Sequence, residues 1–428
     1  MSEIFALTLG NLFLNILGRT PEPLPSVSSV SWQEAEIFAV PTDSDQVVEE
    51  IVADYLEKVA ALGFSPNQQG VYLQSEWAYL GDHQPEMPMS AASLTKIATS
   101  IAALETWGTD HRFETLIHAV GKIEKGVLQG DLIVQGSGDP LFVWEEAIAL
   151  GNQLNQIGIR EVTGNLIIVG DFWMNFRSDV QNSGELLQLG LNSARWSRIV
   201  QQQHQKLPPK TPRPQVAIAG LVRVENNLPD GARLLIRHQS LTVAELVKQM
   251  NLYSNNAMAE MLAQSAGGAD LVAQMAAKAA NVSPEEIQLI NGSGLGVENR
   301  ISPRASVAML MAIEEKLADN PLKVNDLFPM AGRDNRGTIE WRSIPDGVAV
   351  KTGTLAQVSA LAGVIPTQER GPVWFSIINY GPNVDRFRVE QDKLLQRLAQ
   401  HWQLTPEISS EEIQPYLGDP QRNLKVEG

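Results

Sequence analysis

Gly347-Val348-Ala349-Val350-Lys351-Thr352-Gly353-Thr354 opens the stretch that decides the fold. Valine-rich sequence from Gly347 to Gly353 reads as a strand, and two more strand-like runs follow, Ala356 to Ile365 and Val373 to Tyr380. They lie close enough along the chain to pair as an antiparallel meander. Asp385 to Trp402 then has the apolar spacing of an amphipathic helix that closes the fold. At this composition a Lys-Thr-Gly tripeptide is expected only about 0.04 times by chance, so its place at the end of a strand carries weight.

Two other short motifs precede it. Ser93-Leu94-Thr95-Lys96 falls in a segment, Ser90 to Thr106, with Ile97, Ile101, Ala102 and Leu104 on one helical face. Ser90 is the expected N-cap, which places Ser93 in the first turn of a buried helix. Ser254-Asn255-Asn256 lies between helical runs at Leu241 to Leu252 and Ala257 to Ala266. By chance, roughly one S-x-x-K is expected in such a chain, and S-x-N is weaker still. Ser65-Pro66-Asn67 matches S-x-N as well, but upstream and in the wrong order. The weight rests on all three motifs in order, each in a fitting local context. Further upstream, Val47 to Leu62 reads as an amphipathic helix and Gly70 to Gly81 as one strand.

The residue types define a chemistry. A serine hydroxyl needs a base to take its proton before it attacks a carbonyl. Helix positions three apart share a face, so Lys96 sits beside Ser93. A lysine serves as base only when neutral, and burial near Ile97 with the cation of Lys351 close by would lower its pKa. A helix start favours a developing oxyanion. Ser254 and Asn256 would relay the proton to the leaving group and hold an amide. Lys351 with the hydroxyls of Thr352 and Thr354 would grip a carboxylate, and the strand edge could pair with an extended peptide.

Composition removes other classes. The 428 residues exceed one compact core and point to two or three domains. A net charge of −16 disfavours nucleic-acid binding. There is no cysteine, and the six histidines form no ligand pair, so thiol chemistry, iron–sulfur clusters and a zinc site are not expected. No metal or cofactor is implied. There is no G-x-S-x-G elbow, which disfavours an α/β-hydrolase, and Gly292-Ser293-Gly294-Leu295-Gly296 lacks dinucleotide spacing. Ile4 to Leu17 is too short to span a bilayer and lacks a basic start or a cleavage site. It reads either as a short surface helix with at most peripheral membrane contact or as an atypical export signal. Trp173, Trp196 and Trp341 are read as packing residues rather than a glycan groove.

From about His111 to Arg237 the texture changes to short β-type runs, Gly130 to Gln135 and Gly164 to Val169, with a helical segment at Ala147 to Gln156. Gln201 to Pro214 is Gln/Pro-rich and reads as a linker or loop. The expected organisation is an N-terminal segment over 1–30, a catalytic domain over 31–112 and 238–402, an inserted mostly-β domain over 113–237, and a polar tail over 403–428.

The three motifs resemble those of the active-serine penicillin-recognising enzymes. Gly136-Ser137-Gly138-Asp139-Pro140, the stretch Gly164 to Asp171, Asn291-Gly292-Ser293-Gly294-Leu295, Ile301-Ser302-Pro303 and Met330-Ala331-Gly332-Arg333-Asp334 are similar to landmarks of one subgroup. That subgroup is the class C low-molecular-mass penicillin-binding proteins, the D-alanyl-D-alanine carboxypeptidase/endopeptidase family, and coverage runs from about residue 45 to 400. Ser254 lies 161 positions after Ser93 (254 − 93), where members without an insertion need only about 60. The resemblance implies an α/β (α+β) penicillin-binding protein/β-lactamase-like fold, with an antiparallel sheet flanked by helices. It implies a serine carboxypeptidase acting on peptidoglycan stem peptides through Ser93, with Lys96, Ser254, Asn256 and Lys351 catalytic and Thr352, Gly353 and Thr354 binding substrate. The backbone N–H groups of Ser93 and Thr354 would form the oxyanion hole. β-Lactam antibiotics would be covalent inhibitors, and the periplasm or cell envelope the place of action.

Departures from the family pattern are specific. Val297 and Ala356 stand where many members carry an Arg and a Gln that read the stem peptide's third residue; Arg300 or Gln357 are the substitutes to examine. Tyr253-Ser254-Asn255 also fits the Y-x-N pattern of another branch, but the Asn-Ala-Met-Ala-Glu-Met-Leu run from Asn256 resembles the carboxypeptidase helix and favours Ser254/Asn256. A β-lactamase needs a water-positioning E-x-x-x-N between Ser254 and Lys351, and none occurs. A non-catalytic wall-binding protein would not require Lys96.

Overall fold

The computed structural model describes residues 45–405 and 416–426. The apolar segment Ile4 to Leu17 and the Pro/Ser-rich stretch after it lie outside those residues. Among the described residues no helix is long and apolar enough to cross a membrane.

A five-stranded antiparallel sheet carries the site. Its order is Ala349–Leu355, Val358–Thr367, Gly371–Tyr380, Gln69–Ser75 and Tyr79–His83. The last three strands of the chain form the expected meander, with Lys351 opposite Ala362 and Leu361 opposite Ile377. Gly70 to Gly81, expected as one strand, is a hairpin instead. Across its turn the Ser75 N–H donates to the Ala78 carbonyl, and the Ala78 N–H donates to Ser75 Oγ. That side-chain bond closes a local turn which an aromatic, β-branched pattern does not reveal.

Alternation across the strands gives the sheet two apolar faces. Val71, Val350, Phe375 and Ile377 pack against helices Gln46–Ala61 and Val384–Trp402, through Val48, Val52, Leu394, Leu398 and Trp402. Tyr72, Ala360, Ala362 and Trp374 face Thr95–Trp107, Val243–Leu252, Asn256–Ser265 and Pro303–Lys316. The sheet is therefore a middle layer, and the helical lobe on the second face carries two of the three motifs.

A second, mixed sheet is built mainly from residues between 112 and 242, centred on Arg112–Glu124, Val127–Ser137 and Leu166–Asp171. Three helices accompany it, Trp144–Gln156, Val180–Gly190 and Arg198–Lys206, so this part mixes α and β rather than being mostly β. The last of these helices takes up the first six of the fourteen residues expected to be a loop. Glutamines are competent helix formers, Val200 anchors the segment against Ile148 and Trp196, and Pro208-Pro209 stops it. The described end of the chain also departs from a free polar tail. Asn423–Lys425 adds an antiparallel strand beside Arg233–Thr242, while the Arg422 guanidinium pairs with buried Glu146 and the Asn423 amide meets His238. A buried carboxylate needs such a partner, which ties the end of the chain down.

Candidate active site

Ser93 does not follow a capped helix start. Ser90 belongs to a two-residue strand, Met89–Ser90, paired with Arg300–Ile301. A 3₁₀ turn over Ala92–Leu94 leads into the helix Thr95–Trp107, and Ala92 has a left-handed φ of 47°. Ladder pairing of Ser90 outweighs its capping preference. Lys96 follows Ser93 by three positions in the first turn of that helix, which brings the two side chains together.

Lys96 is completely buried. Its ammonium nitrogen lies 2.9 Å from Ser93 Oγ, 2.8 Å from Asn256 Oδ1 and 2.7 Å from the Ser293 carbonyl oxygen. Burial pulls its pKa down to about 7, against the opposing attraction of Glu260. Lys351, equally buried, is depressed well below its ordinary value, first by burial and then by the charge of Lys96. It donates to Ser254 Oγ at 3.1 Å and to the Thr352 carbonyl at 2.8 Å. The two lysines thus divide the motif residues between them, Lys96 holding Ser93 and Asn256 while Lys351 holds Ser254.

The Ser254 loop explains that division. Ser254 has a left-handed φ of 50°, and the Asn255 side chain caps the next helix by accepting from the Met258 N–H at 3.1 Å. Asn255 is therefore committed to backbone, and Asn256 enters the site from the first helical position. Tyr253 is 49% exposed at the end of the preceding helix. The geometry brings Ser254 and Asn256 to the lysines, the pairing favoured over Tyr253/Asn255.

Gly353 and Gly294 let the motif strand and the Asn291–Leu295 loop press against the serine turn. A Cβ on Gly353 would sit 2.7 Å from the Ala91 carbonyl oxygen. At Gly294, where φ is +85°, it would sit 1.9 Å from the Ala92 carbonyl oxygen. Gly294→Ala is expected to cost about 2–4 kcal/mol and to slow acylation at Ser93. Thermal melting and a timed penicillin reaction check it; a wild-type melt with wild-type acylation would refute the close approach.

Ala349–Leu355 is an edge strand. The Val350 N–H points outward to the Pro329 carbonyl at 2.8 Å, so by alternation the N–H groups of Thr352 and Thr354 lie on that same outer edge. Beyond the Met330–Ala349 bridge no strand pairs with this edge among the described residues. Ser93, Ser254, Asn256, Thr352 and Thr354 line one cleft of about 670 Å3, together with Trp341, Arg342, Asp385 and Arg388. All eight residues singled out from the sequence converge here. Of the two substitutes for the missing third-residue readers, Arg300 is committed by its backbone to the small sheet, and Gln357 accepts from the Tyr380 hydroxyl at 2.8 Å.

Three contributors escaped the sequence reading. Glu260 accepts from the N–H groups of Gly292 and Ser293, both at 3.1 Å, and so presents the Ser293 carbonyl to Lys96. The signal was available, since Glu260 lies four residues after Asn256 on the same helical face. Ser293 acts through its carbonyl, which no side-chain pattern announces. Arg388 donates to Thr354 Oγ1 at 2.9 Å from the C-terminal helix, and only the packing of that helix on the sheet brings it there.

A half-buried serine against a completely buried lysine, beside a second lysine on an edge strand, is an arrangement able to support acylation by a serine hydrolase. Solved structures share the fold. A predatory peptidoglycan endopeptidase from Bdellovibrio bacteriovorus superposes with a TM-score of 0.69 at 18% identity, over 83% of this chain and 98% of that one. Penicillin-binding protein 4 from Haemophilus influenzae, complexed with a β-lactam, gives 0.60 at 20% identity, over 82% and 99%. In sequence, a carboxypeptidase of Mycobacterium tuberculosis is 27% identical over 72% of this chain and 75% of its own length. The D-alanyl-D-alanine carboxypeptidase DacB of Haemophilus influenzae is 23% identical over 68% and 80%. The profile of the D-Ala-D-Ala carboxypeptidase 3 (S13) family matches residues 49–181 and 213–401, and the chain belongs to that family. It is a serine-type D-Ala-D-Ala carboxypeptidase, a hydrolase.

Proposed function

We propose that Ser93 is the nucleophile of this carboxypeptidase and that its substrates are peptidoglycan stem peptides ending in D-Ala-D-Ala. The observation that carries the reading is the 2.9 Å contact between Ser93 Oγ and a buried lysine whose pKa lies near 7. Neutral Lys96 takes the Ser93 proton as Oγ attacks the penultimate carbonyl. The N–H groups of Ser93 and Thr354 receive the oxyanion. The proton passes through Ser254, beside Lys351, to the departing amine of D-Ala, and water then opens the acyl-enzyme. Asn256 holds Lys96 and the substrate amide. Cross-links of the same D-amino-acid chemistry are substrates by the same route.

Penicillins acylate Ser93 in this reading, because a β-lactam presents a strained amide in the place of the scissile bond. A penicillin-G-acylated endopeptidase from Bdellovibrio bacteriovorus shares the fold and supports it. Peptidoglycan lies outside the cytoplasm, so the enzyme works in the periplasm or cell envelope, with residues 113–237 as an inserted domain. Intact-mass analysis after brief exposure to a penicillin, followed by peptide mapping, tests the assignment: an adduct is expected on the Ser93 peptide, and an adduct elsewhere, or none, would overturn it.

The Ser254/Asn256 assignment has its own test. Tyr253→Phe is expected to leave the acylation rate within about two-fold of wild type, whereas Ser254→Ala costs about 10²–10³-fold as the proton relay is lost. Stopped-flow acylation by a chromogenic β-lactam reads both, and equal losses would move the base role to Tyr253.

A further inference from the structure

Carboxypeptidase action removes the residue that bears the chain's free α-carboxylate, so the site has to hold an anion beside the scissile bond. Among the described residues four cationic side chains stand at the cleft, and the first, Lys96, is already spent on Ser93, Asn256 and the Ser293 carbonyl. Lys351 is buried, is spent on Ser254 Oγ and the Thr352 carbonyl, and is held toward its neutral form. Arg342, only 8% exposed, is locked on Asp392 through Nε at 3.0 Å and Nη2 at 2.7 Å, with Gln391 Oε1 at 3.1 Å. Arg388 differs from all three. Its side chain is 36% exposed, Nη2 donates to Thr354 Oγ1 at 2.9 Å, and Nη1 pairs with the open Asp385 carboxylate at 2.9 Å.

That placement has a chemical reading. Thr354 has its N–H on the free strand edge, and its hydroxyl oxygen already accepts from the guanidinium. Asp385 is 87% exposed, and ion pairs between exposed groups are weak, so a better-placed carboxylate displaces it readily. A guanidinium presents a fork matched to a carboxylate and keeps its charge at all working pH values. Resting on the proposed Ser93 reading, we propose that Arg388 binds the α-carboxylate of the departing D-amino acid, together with the hydroxyls of Thr352 and Thr354. The anion grip expected of Lys351 thereby moves to a residue on the C-terminal helix, and Lys351 is left to the proton relay. The same contact makes the enzyme a reader of free C-termini, because a peptide blocked at that carboxylate has nothing to offer Arg388.

Two peptides that differ only at the C-terminus, D-Ala-D-Ala and D-Ala-D-alaninamide, test the assignment in wild type, Arg388→Gln and Arg388→Lys. Wild type is expected to favour the free acid by about 10- to 100-fold in kcat/KM. Arg388→Gln loses that factor on the acid and stays within about two-fold of wild type on the amide, while Arg388→Lys keeps part of it. Acylation of Ser93 by a penicillin and by its methyl ester, followed by intact mass, repeats the comparison without a leaving amine. A fall shared equally by acid and amide, and by penicillin and ester, would overturn the assignment in favour of a structural role, and an unchanged acid rate in Arg388→Gln would overturn it outright. Release of D-Ala by wild type, and its loss in Ser93→Ala, tests the Ser93 reading without reference to Arg388, so failure of either proposal is separately visible.

Discussion

Ser93→Ala is expected to abolish both D-Ala release and the covalent penicillin adduct, with kcat reduced by about 10⁴–10⁶-fold. The hydroxyl is the only atom removed, and nothing else in the cleft supplies its position: Ser254 Oγ lies on Lys351 rather than on Lys96. The substitution suits the local fold, since Ser93 sits in a 3₁₀ turn and uses its side chain for no cap. A normal melting curve is therefore expected alongside the lost activity. Two further readouts complete the test. A long-lived adduct in wild type marks slow deacylation and a carboxypeptidase, whereas rapid drug hydrolysis without an adduct would mark a β-lactamase. Residual D-Ala release at the wild-type rate in Ser93→Ala would move the nucleophile elsewhere.

Lys96→Ala comes second, with an expected loss of about 10²–10⁴-fold in acylation rate, and its interest lies in the pH profile. With the ordinary lysine value of 10.5, roughly one molecule in 3,000 would carry a neutral Lys96 at pH 7. Burial lowers the pKa to about 7, so at pH 7 roughly half of the molecules are competent. The sign follows directly: protonation below that pKa removes the base, so acylation rises with pH through about 7 and levels above it. Lys96→Ala should erase this rise, because the group that titrates is gone. An unchanged acid limb in the variant would assign the titration to another group and remove Lys96 from the base role. Lys351 does not mimic the effect, since it contacts Ser254 instead of Ser93.

Much of this enzyme is legible along the chain. The meander from Ala349 to Tyr380 and the helix that covers it follow from period-two and period-3.6 apolar patterns, which are local properties of the residues. The pairing of Ser93 with Lys96 is equally local, because three residues of helix or 3₁₀ turn bring them together without help. The elements that were misplaced share one cause. Ser90 has the chemistry of a cap, yet a neighbouring strand takes it, and the Gln-rich run at Gln201 forms a helix because Val200 finds a cluster to enter. In both cases one deciding partner, Arg300 for Ser90 and Ile148 for Val200, is remote in sequence.

The residue chemistry therefore points to the reaction class, to Ser93 and Lys96 as the proposed nucleophile and base, and to the strand that carries the third motif. Three-dimensional packing decided the rest. It set the depth at which Lys96 lies, and hence a pKa near 7, because burial depends on every element stacked above it. It assigned Asn256 rather than Asn255 to the site, through one left-handed residue at Ser254. It also carried Arg388 to Thr354, 34 residues away along the chain, by laying a helix across the sheet. Short-range patterns encode which groups are present and which neighbours they share, while desolvation and long-range contact come into being only when the layers close.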